Sequence, residues 1–140
     1  SLPSFPELSA IVLSQAAQDG EDGYLQMDEI ADLELETDLV TLSACDTAAG
    51  KIYAGEGVVG LTQSFIIAGA KNVSASLWQI SDEATAEFMR GFYRLVFKEG
   101  YGYSEALREM KLRFITGREG YGRYKNPFFW ASFLLYGGGF

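Results

Sequence analysis

A chain of 140 residues that is 48% hydrophobic and 14% aromatic can bury one core and is too short for two domains. A net charge of -8, with a pI near 4.5, argues against nucleic acid, whose recognition relies on Lys and Arg displacing counterions. No apolar run reaches the roughly 18 residues of a membrane span, and residues 1–7 have neither the basic nor the hydrophobic region of a signal peptide, so a soluble protein without a membrane partner is expected.

The charge is unevenly placed. Residues 1–50 carry 11 acids and no Lys or Arg, whereas residues 51–140 carry 11 bases and 8 acids. Two explanations stand: the acidic half pairs with basic surface elsewhere in a larger protein or is simply solvated, or it meets a basic substrate or partner. Cys45 is the single cysteine and cannot form an internal disulfide. It fits a reducing compartment, the cytoplasm, and leaves a free thiol for chemistry.

In chain order, the apolar runs 8–14 and 24–27 flank the turn-rich 18–23 and read as a hairpin. Asp28 can cap a short helix to about Leu33, and 38–45 is a nearly continuous apolar stretch of the kind buried in parallel strands, with Cys45 at its C-terminal end. A loop over 46–51 leads to a helix over about 55–68 that lines up Val58, Leu61, Phe65 and Ile66, with Gly69 as its C-cap. Residues 72–78 read as a second buried strand. Ser81, Asp82 and Glu83 then open a helix with Ala84, Phe88, Phe92 and Leu95 on one face, ending near Gly100. A helix over 104–116 aligns Leu107, Met110 and Phe114, and 128–136 makes a last strand. Such alternation implies an α/β fold with a mainly parallel sheet, in which functional groups gather at the carboxyl ends of the strands. Cys45 and residues 78–82 would share that edge.

A cysteine between a buried strand and a helix can be a reactive thiol, since the strand fixes it and the helix dipole favours thiolate; it can equally be inert core. The surrounding motifs point to chemistry. Leu42-Ser43-Ala44-Cys45-Asp46-Thr47, then Gly55-Glu56-Gly57-Val58 with Gly60-Leu61, Ala68-Gly69-Ala70, Ala75-Ser76-Leu77-Trp78, Asp82 and Ala84-Thr85 resemble the CHAT family, relatives of caspases and separases. Pro127, Trp130-Ala131 and Phe133 resemble that family's last strand. The resemblance covers about residues 6–138 and implies a caspase-like three-layer α/β/α fold whose N-terminal strands lie upstream of this chain.

What the resemblance implies for function is a Cys-His dyad in which Cys45 attacks a peptide carbonyl and its own backbone N–H helps hold the oxyanion. The family's His-Gly pair belongs to an earlier strand, before the segment that 6–14 matches. No histidine occurs in the 140 residues, so these residues alone are not expected to hydrolyse peptide. Neither Lys51 nor Asp46 is an obvious substitute base. In related separases an acid after the next strand lines the pocket for an Arg side chain, and Asp82 is the nearest match. Asp82 either pairs with guanidinium or only supports its helix N-terminus, and Trp78 either floors the same pocket or is a core aromatic. No cofactor or metal is expected: Gly55-Glu56-Gly57-Val58-Val59-Gly60 matches a dinucleotide fingerprint but stands too far from the strand end, and Asp19, Glu21 and Asp22 are too compressed for a calcium loop. The expected partners are a peptide or protein substrate with a basic P1 residue, the upstream part of the same protein, and a second copy of the chain. A non-catalytic scaffold for protein–protein interaction is the competing reading.

Overall fold

The computed structural model describes residues 10–12, 23–42 and 54–138. Strands β1 (Ala10–Val12) and β2 (Tyr24–Gln26) pair antiparallel as the expected hairpin. Helix α1 (Met27–Ala31) follows directly, and its first turn is closed by Glu29, whose carboxylate accepts the Gln26 backbone N–H at 2.8 Å. The cap is therefore Gln26 rather than Asp28, because the reciprocal acid sits three residues after it.

Strand β3 (Val40–Leu42) lies parallel to β4 (Asn72–Ser76) in the register Val40–Val73, Thr41–Ser74 and Leu42–Ala75. Between them runs helix α2 (Ala54–Ile67), a strand–helix–strand crossover of the kind parallel pairing requires. Gly69 ends α2 with φ 112°, where a side chain would collide with the Leu35 carbonyl oxygen. Helices α3 (Asp82–Phe97) and α4 (Tyr103–Thr116) come next, then 3-10 segments over Arg118–Tyr124 and Pro127–Phe129, then strand β5 (Phe133–Gly137). The sheet order is β3-β4-β5.

β5 pairs antiparallel with β4, from Phe133 opposite Ser76 to Gly137 opposite Asn72, so the sheet is mixed. The expected strand over 128–136 starts five residues late. Asn126 caps a 3-10 turn by accepting the Phe128 N–H at 2.9 Å, and Pro127 at its first position favours the turn over a strand. The turn lets the chain reverse before it pairs.

Alternation along the strands divides the core into two clusters, one for each face of the sheet. Val73 joins Ile30, Phe65 and Ala70, with Val40, Leu42, Ile11 and Leu25 packed against them. On the other face Phe133 joins Ala84, Phe88, Phe92, Leu95, Met110 and Phe114 from α3 and α4, with Leu39 against them. Phe88 stacks on Phe133 at 4.0 Å and meets the edge of Phe114 at 5.2 Å. The result is three layers: α1 and α2, the sheet, and α3 and α4. The predicted face of α3 is fully buried. That of α2 is not: Thr62, Ser64 and Phe65 are buried while Ile66 is 37% exposed. Small hydroxyl residues allow close packing there, and each hydroxyl donates within the helix, Thr62 to the Val59 carbonyl and Ser64 to that of Gly60.

Candidate functional site

The two parallel strands define one end of the sheet. Within the described residues β3 ends at Leu42, three positions before Cys45 in sequence, and the register partner of Leu42 is Ala75, three positions before Trp78. Cys45 itself, the loop over 46–51 and Gly55-Glu56 as side chains lie outside the described residues, as do Asp19, Glu21 and Asp22. Among the described residues no group of His, Cys, Asp and Glu could hold a metal ion. No helix among them is long and apolar enough to cross a membrane.

From β4 the chain passes through Leu77, whose N–H donates to the Ser132 carbonyl, to Trp78. The Trp78 indole N–H donates to the Phe128 carbonyl at 3.0 Å, its ring lies 6.3 Å from that of Phe128, and it packs against the α3/α4 core. The indole thus ties the end of β4 to the turn before β5. Its N–H is committed, and its partly buried ring still borders solvent.

Ser81 caps α3, its hydroxyl accepting the Ala84 N–H at 3.4 Å, and Asp82 and Glu83 occupy the first turn, where the helix dipole favours negative charge. The two acids differ. Glu83 is paired with Arg123 at 2.7 Å, whereas Asp82 is exposed and has no ion pair among the described residues. The geometry accommodates both roles of Asp82, since a carboxylate at the start of a helix supports that helix and can still accept a guanidinium or ammonium from solvent.

Two features escaped the sequence reading. Arg113, buried on α4, bridges Glu109 at 2.9 Å and Glu119 at 2.7 Å, and Glu119 also meets Arg94 at 3.5 Å. Burial alone works against the Arg113 charge, but the two carboxylates overcome it and raise its pKa. This network holds Glu119 at φ 54°, a left-handed conformation unusual for a residue with a side chain, and so fixes the segment after α4. The second feature is a shallow, solvent-open trough of about 540 Å³ between α4 and β5. An Arg on an apolar helix face was a signal for the first; the trough had none, because it depends on where an antiparallel β5 ends up.

Two parallel strands and a capped helix converging on one end of a three-layer α/β/α sandwich define an α/β domain with its candidate site at the strands' carboxyl ends. The chain belongs to the CHAT domain family, which matches residues 1–138. It is 32% identical over 109 residues to Tetratricopeptide repeat protein 28 of Homo sapiens, an alignment covering 78% of this chain and 4% of that protein. The same protein of Mus musculus matches with the same identity and coverage, 32% over 109 residues, 78% and 4%. The chain therefore spans only a small fraction of the length of these curated relatives.

Proposed function

We propose that this chain is the cysteine-bearing part of a caspase-like peptidase domain, with Cys45 as nucleophile and the general base supplied from outside these 140 residues. The observation that carries the reading is the parallel pairing of β3 with β4 in a CHAT family chain: the strand leading to Cys45 runs beside the strand leading to Trp78 and Asp82. In the reaction, the thiolate adds to the scissile carbonyl while backbone N–H groups hold the oxyanion. A histidine gives a proton to the leaving amine, and water then releases the acyl group from sulfur. Asp82 receives the basic P1 side chain, and its lack of an ion-pair partner among the described residues supports that role.

The test compares two polypeptides, each with its Cys45→Ala variant, on Arg- and Lys-containing peptides. Residues 1–140 are expected to show no turnover above the variant, and a longer chain that includes the upstream sequence is expected to show Cys45-dependent cleavage. A longer chain with no such cleavage favours a second reading, a non-catalytic scaffold.

A further inference from the structure

The open trough between α4 and β5 is lined by Leu107, Leu112 and Ile115 of α4 and by Leu134 and Leu135 of β5, together with Arg108 and Lys111. Consecutive strand residues point to opposite faces of a sheet, so a space that touches both Leu134 and Leu135 lies along the strand's edge rather than over one face. β5 is the outer strand of the sheet, paired among the described residues on the β4 side alone. Its row of backbone donors and acceptors on the other side is thus bordered by an apolar trough, the combination that recognises an extended peptide by strand addition. The trough runs toward Gly137 and Gly138, and Gly137 pairs with Asn72 at the start of β4. At its other end it reaches Trp130 and Leu134, which pairs with Ala75, so it follows the length of β5.

Charge decides what fits. Neither Arg108 nor Lys111 forms an ion pair among the described residues, a state they share with Lys98, Arg118 and Lys125; what sets these two apart is that both line the trough. Arg108 also borders Glu105 and Glu109 on its other side, which offsets part of its charge. Lys111 is half-buried, and burial lowers its pKa with no carboxylate opposing it. A cation left desolvated beside an apolar trough is matched by a carboxylate from elsewhere. A second copy of this chain would bring the same two cations face to face, so the edge disfavours self-pairing.

We propose that the β5 edge and the α4 trough bind an extended acidic segment of a partner protein, with alternate apolar side chains in the trough and carboxylates on Lys111 and Arg108. This surface is independent of Cys45 and stands or falls apart from the peptidase reading.

The experiment titrates residues 1–140 into a fluorescein-labelled peptide that alternates valine with glutamate and follows its anisotropy. Saturable binding is expected, weakened about tenfold when lysine replaces the glutamates, since a charged hydrogen bond is worth about that factor. Lys111→Met and Arg108→Gln, each checked for folding by circular dichroism, should each weaken the acidic peptide about fivefold or more, and Cys45→Ala should leave it unchanged. Amide exchange should slow along Phe133–Gly137 when the peptide is bound. No binding, equal affinity for the lysine peptide, unchanged affinity in both charge variants, or β5 protection that rises with protein concentration alone would each overturn the proposal, the last by showing that a second copy takes the edge.

Discussion

Among single residues, glycine and aspartate carry the sharpest consequences. Gly69 sits in the Ala68-Gly69-Ala70 motif because the chain leaves α2 at φ 112° and the Leu35 carbonyl oxygen fills the space a β-carbon would need, and Leu35 in turn donates its N–H to the Ala68 carbonyl at 2.7 Å. Gly69→Ala introduces both a left-handed side chain and a backbone collision. A loss of about 2–4 kcal/mol is expected in urea unfolding, well above the roughly 1 kcal/mol of conformational cost alone; a loss under 1 kcal/mol would mean that the turn simply shifts. Asp82 separates its two roles by which quantity moves. In a catalytically competent longer chain, Asp82→Asn is expected to lower kcat/KM for an Arg substrate about tenfold or more, because a charged hydrogen bond contributes about 1.5–3 kcal/mol. A helix-supporting acid would instead cost about 0.3–1 kcal/mol of stability and leave cleavage unchanged.

At the level of elements, what could be read from the sequence follows the strength of each local signal. α3 was legible to its last buried residue because Ala84, Phe88, Phe92 and Leu95 repeat at helical spacing behind a Ser81 cap. β4 was legible as an apolar, small-residue run between turns, although the strand expected over 72–78 ends two residues early at Ser76, where the chain turns through Leu77 and Trp78. The face of α2 was misread: close packing selected Thr62 and Ser64 over Ile66, and shape complementarity leaves no hydrophobic pattern. The start and direction of β5 were hidden by aromatics at 128–130 that look like strand but sit in a 3-10 turn. Of the candidate site, Trp78 and Asp82 fall at the expected strand end, whereas the trough beside α4 needed tertiary structure. α4 offers its own measurement. Burial lowers the Lys111 pKa below the ordinary 10.5, so its charged form is disfavoured in the folded state. The unfolded chain then binds the proton more readily, and stability at this site is lost as pH falls through the lowered pKa and regained above 10.5. Lys111→Met is accordingly expected to raise Tm near neutral pH by about 1–3 °C, with the gain shrinking as pH rises past the lysine range. An unchanged or lower Tm at neutral pH would show that the ammonium is well solvated. The same substitution that stabilises the fold would weaken the proposed peptide site, the usual trade between stability and a binding surface.

For the molecule as a whole, the two outer strands of the sheet are unlike. β5 is bordered by cations. β3 is bordered by aromatics: the Tyr93 hydroxyl shares a hydrogen bond with Thr41 at 2.9 Å, and Tyr93 stacks on Phe97 at 5.9 Å. Phe97 is 68% exposed, unusual for a phenylalanine, and among the described residues β3 pairs with β4 alone. The described parts of the N-terminal hairpin do not supply the missing neighbour, since β1 and β2 pair with each other and Ile11 and Leu25 pack on the α1/α2 side. An apolar strand edge beside exposed rings favours association with another chain. Residues 1–140 are therefore expected to self-associate through β3 and Phe97, with Phe97→Glu shifting the equilibrium toward monomer by about tenfold or more, because burying an unpaired carboxylate is costly. Lys111→Glu, on the far edge, should leave that equilibrium unchanged. Sedimentation over a range of concentrations reads both variants directly. A wild-type monomer at every concentration, with slow amide exchange along Val40–Leu42, would mean that the chain covers this edge itself; association unchanged in Phe97→Glu but tightened in Lys111→Glu, which places a carboxylate opposite the other copy's cations, would move the contact to β5 and count against an acidic peptide there.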